Sequence, residues 1–263
     1  MSSTGSISFG LPEVVLVSGA ASGLGHEICR LLVSCGVETV GVDIAAAQAD
    51  LAAEPLYRHV TGDVAQETTW QEAVRDVRGR PLGLVTSAAV LDVGTVLEAT
   101  PRQLSRAFDV NIAGTAFAMK VVLPLMIAGG GGPIVAVASV NATLAEQQLA
   151  IYNASKAAAR QLARTVAMDH ARQGIRVNVL SPGPMMAGLF KRHLESAADS
   201  ERFLATRSAR QPNGKILDAA DVARAALFLL SDGANALNGA DVVADGGLTT
   251  SFDFRTGAEG ASV

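Results

Sequence analysis

The chain has 263 residues, of which 49% are hydrophobic and 17% charged, and its formal net charge is −4. That length can bury one large core, and the composition excludes a disordered chain or a disulfide scaffold. The mild negative charge, with no Lys/Arg run, excludes a surface built to grip nucleic acid or an anionic membrane.

Short β-branched runs alternate with longer Ala/Leu-rich segments. "VVLVSG" (14–19) predicts a buried strand, and "GHEICRLLVSCG" (25–36) a helix ended by Gly36. "ETVGVD" (38–43) and "HVTGDV" (59–64) predict the second and third strands. A helix is expected over 67–78, with Thr68, Trp70, Ala73 and Val77 on a partly apolar side. "PLGLVTSAAV" (81–90) holds a fourth strand, followed by a long helix over about 101–128. "PIVAVAS" (133–139) is a fifth strand and 152–172 another long helix. "IRVNVLSPG" (175–183) and "ADVVADGG" (240–247) supply strands six and seven. Strands without alternation, separated by helices, imply a parallel sheet covered on both faces. The expected fold is therefore α/β: one Rossmann-like, doubly wound domain with seven parallel strands. The stretch 184–215 breaks the rhythm and reads as a helical lid over a substrate, and the tail 254–263 as flexible.

Cys29 and Cys35 are six apart on one predicted helix and so face different ways, which disfavours a disulfide or a metal pair. The four histidines, at 26, 59, 170 and 193, show no ligand spacing, so no metal is expected. The opening "MSSTGSISFGLPE" lacks a basic segment followed by an apolar one, and no uninterrupted apolar run reaches about 18 residues. A cytoplasmic protein without a membrane partner is the expectation.

Between the first strand and first helix, "VSGAASGLG" places Ser18, Gly19, Ser22, Gly23, Leu24 and Gly25. Glycines there allow a tight turn and close backbone approach, and the helix N-terminus then offers N–H groups to a pyrophosphate. Alone, such a turn could serve only the backbone. Asp43, ending the second strand 18 residues after Gly25, adds a carboxylate that can accept hydrogen bonds from a ribose and repel a 2′-phosphate. The pair points to NAD, with no cation at Ser22 or Ile44 to favour NADP.

Tyr152 and Lys156 lie at i and i+4 at the start of a predicted helix and share a face. A tyrosine near its usual pKa of about 10 is a poor base at neutral pH, and a nearby ammonium favours its phenolate. Ser139 ends the fifth strand thirteen residues upstream. Ligands bind beyond the carboxyl ends of parallel strands, so Ser139 is expected in one crevice with the start of the Tyr152 helix. Separately, each has a bland reading: an amphipathic helix with a surface lysine, and a strand-end hydroxyl.

With these residues in this order, the chain resembles the short-chain dehydrogenase/reductase family over about residues 11–250. Its cofactor turn TGxxxGxG is matched by Ser18, Gly19, Gly23 and Gly25, and its YxxxK pair by Tyr152 and Lys156. The resemblance implies that Ser139 is the catalytic serine that orients the substrate oxygen. It implies that Tyr152 is the general acid/base and that Lys156 lowers its pKa and holds the ribose. Asn111 matches the family's helix asparagine, which helps order a proton-relay water. Asp63, with Val64, matches the adenine-side aspartate, and Pro182 and Gly183 line the nicotinamide side. Ala88 and Met185 are expected at the cofactor as well. A homotetramer is implied, and the small residues Ala157 to Ala159 suit a neighbouring subunit.

Two departures stand out. The family's NNAG segment is here "TSAA", Thr86 to Ala89, and its nicotinamide-binding threonine is replaced by Ala187, so the carboxamide is expected to rely on backbone near Met185. The substrate is expected against Val140, Asn141, Gln148, Met186, Leu189 and Phe190. Methionines and a phenylalanine favour an apolar, adaptable pocket. No Arg or Lys precedes Lys191 in the first half of the lid, which disfavours an anionic substrate. A hydrophobic, cyclic secondary alcohol or its ketone (terpenoid, steroid or alicyclic) is the expected substrate. A cis-dihydrodiol or polyol is the alternative, as is a non-catalytic NAD-binding sensor.

Overall fold

The computed structural model describes residues 8–250, so the tail expected at 254–263 lies outside them. Seven strands form one sheet: β1 (Val14–Ser18), β2 (Glu38–Asp43), β3 (Tyr57–Thr61), β4 (Leu82–Thr86), β5 (Gly132–Val137), β6 (Ile175–Pro182) and β7 (Asp241–Ala244). Every pairing is parallel and the order is β3-β2-β1-β4-β5-β6-β7. All residues of β1 and β4 are buried, as a sheet covered on both faces requires.

The covering helices are α1 (Gly23–Ser34), α2 (Ala49–Ala52), α3 (Glu67–Ala73), α4 (Pro101–Phe108), α5 (Gly114–Ala128), α6 (Ala150–His170), α7 (Gly188–Ser196), α8 (Ser200–Ala209) and α9 (Ala219–Leu230). One core holds Trp70, Met119, Met126 and Ala163 against Leu16, Leu84 and Ile134. The other holds Ile28, Leu32, Val222 and Leu229 against Val15, Val17 and Val85. Each such buried side chain contributes about 1.5–3 kcal/mol over leaving it in water. The chain runs outward from β1 to β3 and then returns to place β4 on the other side of β1, which opens a crevice at the carboxyl ends of β1 and β4.

Several boundaries differ from the sequence reading. β3 covers 57–61 rather than 59–64, because the chain turns at Gly62, where a Cβ would lie 2.7 Å from Thr69. Asp63 and Val64 therefore stand in the turn above the strand. The helix expected over 67–78 stops at Ala73; Trp70, Ala73 and Val77 are buried, but Thr68 is exposed and Thr69 takes the inward place. The sequence reading missed α9, although Asp218 caps it by accepting from the Ala220 N–H and its Val222, Ala226 and Leu229 recur at helical spacing.

The long helix expected over 101–128 is continuous but contains a π segment, Asp109–Ala113, between α4 and α5. By length and composition this run could cross a membrane. Its apolar face has another explanation, since Ala118, Met119, Val122 and Met126 are buried in the core. Ala159, expected to meet another subunit, is buried inside the protomer, while Ala157 and Ala158 are half-buried.

Candidate active site

Beyond the carboxyl ends of the strands lies a cleft of about 1270 Å³. That exceeds the ~300–1,000 Å³ usual for one small ligand and leaves room for a dinucleotide beside a substrate. Its floor begins at the turn after β1. Gly19 has φ +73° and Gly23 φ +60°, values that glycine adopts without strain. A Cβ on Gly25 would lie 2.3 Å from the Gly19 carbonyl oxygen, so α1 can approach the turn this closely only with glycine there. Ser22 gives α1 no side-chain cap, and the first turn holds no acidic residue. The positive end of the helix thus faces the cleft, with N–H groups suited to a pyrophosphate.

Gly19, Ser22, Gly23, Leu24, Asp43, Asp63, Val64, Ala88, Pro182, Gly183 and Met185 all line the cleft. Ser18 and Gly25 do not. Ser18 is buried, and its Oγ accepts from the Ser87 and Ala88 N–H groups at 3.0 and 3.1 Å, pinning the exit of β4 to that of β1. Both residues shape the turn from behind. Asp43 accepts from the Ala21 N–H through Oδ2 and from the Ala45 N–H through Oδ1, each at 3.0 Å. These bonds fix the carboxylate at the mouth, and each oxygen retains a lone pair for a ribose hydroxyl. The site fits a dinucleotide.

At the other end, the 3₁₀ turn after β5 and the first turns of α6 bring the chemistry together. Tyr152 and Lys156 are buried one helical turn apart, with the Lys156 Nζ 5.9 Å from the Tyr152 ring centroid. The Tyr152 hydroxyl hydrogen-bonds to the Ser139 side chain. Ser139 Oγ also accepts from the Asn141 N–H at 3.1 Å, which holds the hydroxyl in place.

Burial pushes the Tyr152 phenol up to about 12, the Ser139 hydrogen bond lowers it, and the Glu146 carboxylate raises it. Burial pushes the Lys156 ammonium down to about 8. The expectation that this lysine depresses the phenol is therefore not met by the protein alone. Lys156 donates to the Val137 carbonyl at 2.8 Å, and loss of solvation outweighs its attraction for a phenolate.

Asn111 lies in the π segment, buried behind the wall of the cleft. Its Oδ1 accepts from the Val90 N–H at 2.8 Å, and its Nδ2 donates to the Val90 carbonyl at 3.0 Å and to Ser155 Oγ at 2.8 Å. The extra residue of a π turn re-aims a side chain, here toward α6 and the loop after β4. Ser155 in turn donates to the Tyr152 carbonyl at 2.8 Å. The sequence reading passed over Ser155, whose signal was a polar residue one turn after Tyr152 on an inward face.

The substrate side differs from expectation in two respects. Val140, Asn141, Gln148, Leu189 and Phe190 line the cleft, but Met186 does not. The Met186 N–H donates to Leu217 O at 2.9 Å, and the side chain is turned outward. The Ala187 N–H donates to Met185 O at 2.7 Å, so neither of these two amides is open to a carboxamide. Second, the lid is more polar than its first half suggests. Stretch 184–215 folds as α7 and α8, and Arg192, Arg207 and Arg210 reach the cleft. Arg207 pairs with Glu146 at 2.7 Å and packs over Phe203 at 5.2 Å, joining α8 to the loop before α6.

A family profile described as enoyl-(acyl carrier protein) reductase matches residues 19–249. The D-threitol dehydrogenase of Mycolicibacterium smegmatis is 34% identical, over 90% of this chain and 93% of that protein. The cis-4-hydroxycyclohexanecarboxylate dehydrogenase of Sinomonas cyclohexanicum is also 34% identical, over 90% of this chain and 96% of that protein. The ligand-free structure of Thermoplasma acidophilum aldohexose dehydrogenase superposes with a TM-score of 0.85 at 26% identity, covering 94% of this chain and 98% of that one. The chain belongs to the short-chain dehydrogenase/reductase family and is a dehydrogenase acting on CH–OH donors.

Proposed function

We propose that this enzyme interconverts a hydrophobic, alicyclic secondary alcohol and its ketone, using NAD in preference to NADP, as a cytoplasmic homotetramer. The observation that carries the reading is the gathering of Ser139, Tyr152 and Lys156 at the end of a cleft whose substrate side includes Leu144, Leu149, Leu189, Phe190 and Leu248. These apolar walls suit a compact carbon ring better than an open polyol chain. The relative from Sinomonas cyclohexanicum, a dehydrogenase of an alicyclic alcohol, is consistent with this.

NAD preference rests on Asp43, whose fixed carboxylate would meet a 2′-phosphate with like charge, and on the uncharged Ile44 beside it. Tetramer formation is supported by Leu104 and Phe108, apolar residues on α4 that stand open to solvent.

In the oxidation, Ser139 holds the substrate oxygen and Tyr152 removes the hydroxyl proton. Lys156 keeps a positive charge beside the phenol below about pH 8 and can hold a ribose. When bound, an oxidised nicotinamide would supply the hydride acceptor and a further positive charge. Asn111 and Ser155 hold the start of α6 in register with β4, so that Tyr152 meets Ser139.

Initial rates with NAD and NADP test the cofactor reading. NAD should win by at least about tenfold in kcat/KM, and Asp43→Ser should narrow the gap. A wild-type preference for NADP would overturn it.

A further inference from the structure

Gln211 follows α8 and lines the cleft, yet it is only 3% exposed. Its backbone is held on both sides: the N–H donates to Ser208 O and the carbonyl accepts from the Gly214 N–H, each at 2.9 Å. Its side-chain amide has no hydrogen-bond partner among the described residues, and its polar atoms keep the residue's small exposure on the cleft instead of being sealed in the core. An amide that opens onto a cleft with no protein partner is available to whatever enters there.

The surroundings are rigid. Across the lid edge, a Cβ on Gly247 would lie 3.8 Å from Pro212 Cγ, so the turn after β7 packs next to Gln211. That turn is fixed by the buried Asp245, which accepts from the Gly247 N–H at 2.8 Å, the Thr249 N–H at 2.7 Å and the Thr249 hydroxyl at 2.6 Å. Leu248 and Thr249 of the same turn also line the cleft. Gln148, an exposed residue on the loop before α6, also lines the cleft. Gln148 stands in the left-handed region at φ +62°, held there by its carbonyl accepting from the Gly94 N–H at 2.8 Å.

We propose that Gln211 is a specificity-determining residue that binds a second hydroxyl group on the alcohol substrate. A primary amide offers both a donor and an acceptor, which matches a hydroxyl group, itself donor and acceptor. A carboxylate would use only the donor half. The substrate is thus a ring diol or a more highly hydroxylated alicycle, of which Tyr152 deprotonates one oxygen. The inference rests on the reading of the enzyme as an alicyclic alcohol dehydrogenase.

The test compares cyclohexanol with the cis and trans 1,2-, 1,3- and 1,4-cyclohexanediols in wild type, Gln211→Met and Gln211→Leu. Wild type should favour at least one diol over cyclohexanol by about 10–100-fold in kcat/KM, and both variants should collapse that ratio toward one. Because the replaced amide has no protein partner, Gln211→Met should melt close to the wild-type temperature, whereas loss of a structural glutamine's hydrogen bonds would lower it.

Diol binding to the NADH complex of Tyr152→Phe, followed by NADH fluorescence, provides a readout that needs no turnover. Gln211-dependent binding there without turnover in wild type would support the glutamine and refute the reaction. Turnover with a diol-to-monool ratio unaffected at Gln211 would overturn the glutamine and leave the reaction standing. Failure of every diol to bind, or a Gln211-dependent preference confined to hydroxycyclohexane carboxylates, would also overturn it.

Discussion

Lys156 carries its charge at the end of the cleft, almost wholly withdrawn from water, which sets a cost that activity makes necessary. Its ammonium is pushed from its ordinary value of 10.5 down to about 8 by burial. Folding therefore disfavours the charged form, by about 3 kcal/mol or less. Below about pH 8 both folded and unfolded chains hold this proton, and the penalty is complete. Between about pH 8 and 10.5 the unfolded chain binds more protons than the folded one, so stability recovers as pH rises. Replacing Lys156 by Met should raise thermal stability at pH 7 by about 1–2 kcal/mol, after allowing for the lost bond to the Val137 carbonyl, while destroying activity. The advantage should shrink as the pH approaches 10.5. Melting curves of both proteins from pH 7 to 10 check the sign, and a stability gain that grows with pH would refute it.

At the scale of elements, the join between β1 and β4 explains how the chain tolerates an unusual segment after β4. The resemblance implies an asparagine where Thr86 stands. Thr86 is buried, and its hydroxyl has no partner among the described residues. Ser18 supplies the tie instead, by accepting from the Ser87 and Ala88 N–H groups. Thr86→Val keeps the shape and removes the orphan hydroxyl, so it should stabilise the protein by about 0.5–1.5 kcal/mol in denaturant unfolding. Destabilisation would mean that the hydroxyl is bonded after all.

The strand–turn–helix at 14–34 was legible because glycine spacing and β-branched runs report local backbone needs. The π segment was not, because Asp109–Ala113 has ordinary helix composition and its extra residue reflects where Asn111 must reach across 44 residues to Ser155. The early stop of α3 was likewise hidden, since Val77 keeps its buried place outside the helix.

For the whole molecule, parallel strand order does most of the assembly. Residues from positions 19 to 249 meet only because each strand delivers its carboxyl end to one edge of the sheet. Motif order alone was enough to bring Gly19, Asp43, Ser139, Tyr152 and Lys156 into one cleft. The lid was harder to read. Met186, expected at the substrate, turns outward while Arg207 lines the cleft, since which way a lid residue faces depends on how α7 and α8 fold back, not on its distance along the chain from the catalytic pair. Gln211 carried no motif, and its significance depends on a place in the cleft wall with no protein partner for its amide.

The central claim is that Tyr152 moves the substrate proton in this cleft. It is tested most directly by following NADH formation with a panel of alicyclic secondary alcohols in wild type and Tyr152→Phe. Loss of about 10²–10⁴-fold in kcat/KM, with the variant still folded, is the predicted result. Turnover unchanged by the substitution would contradict it.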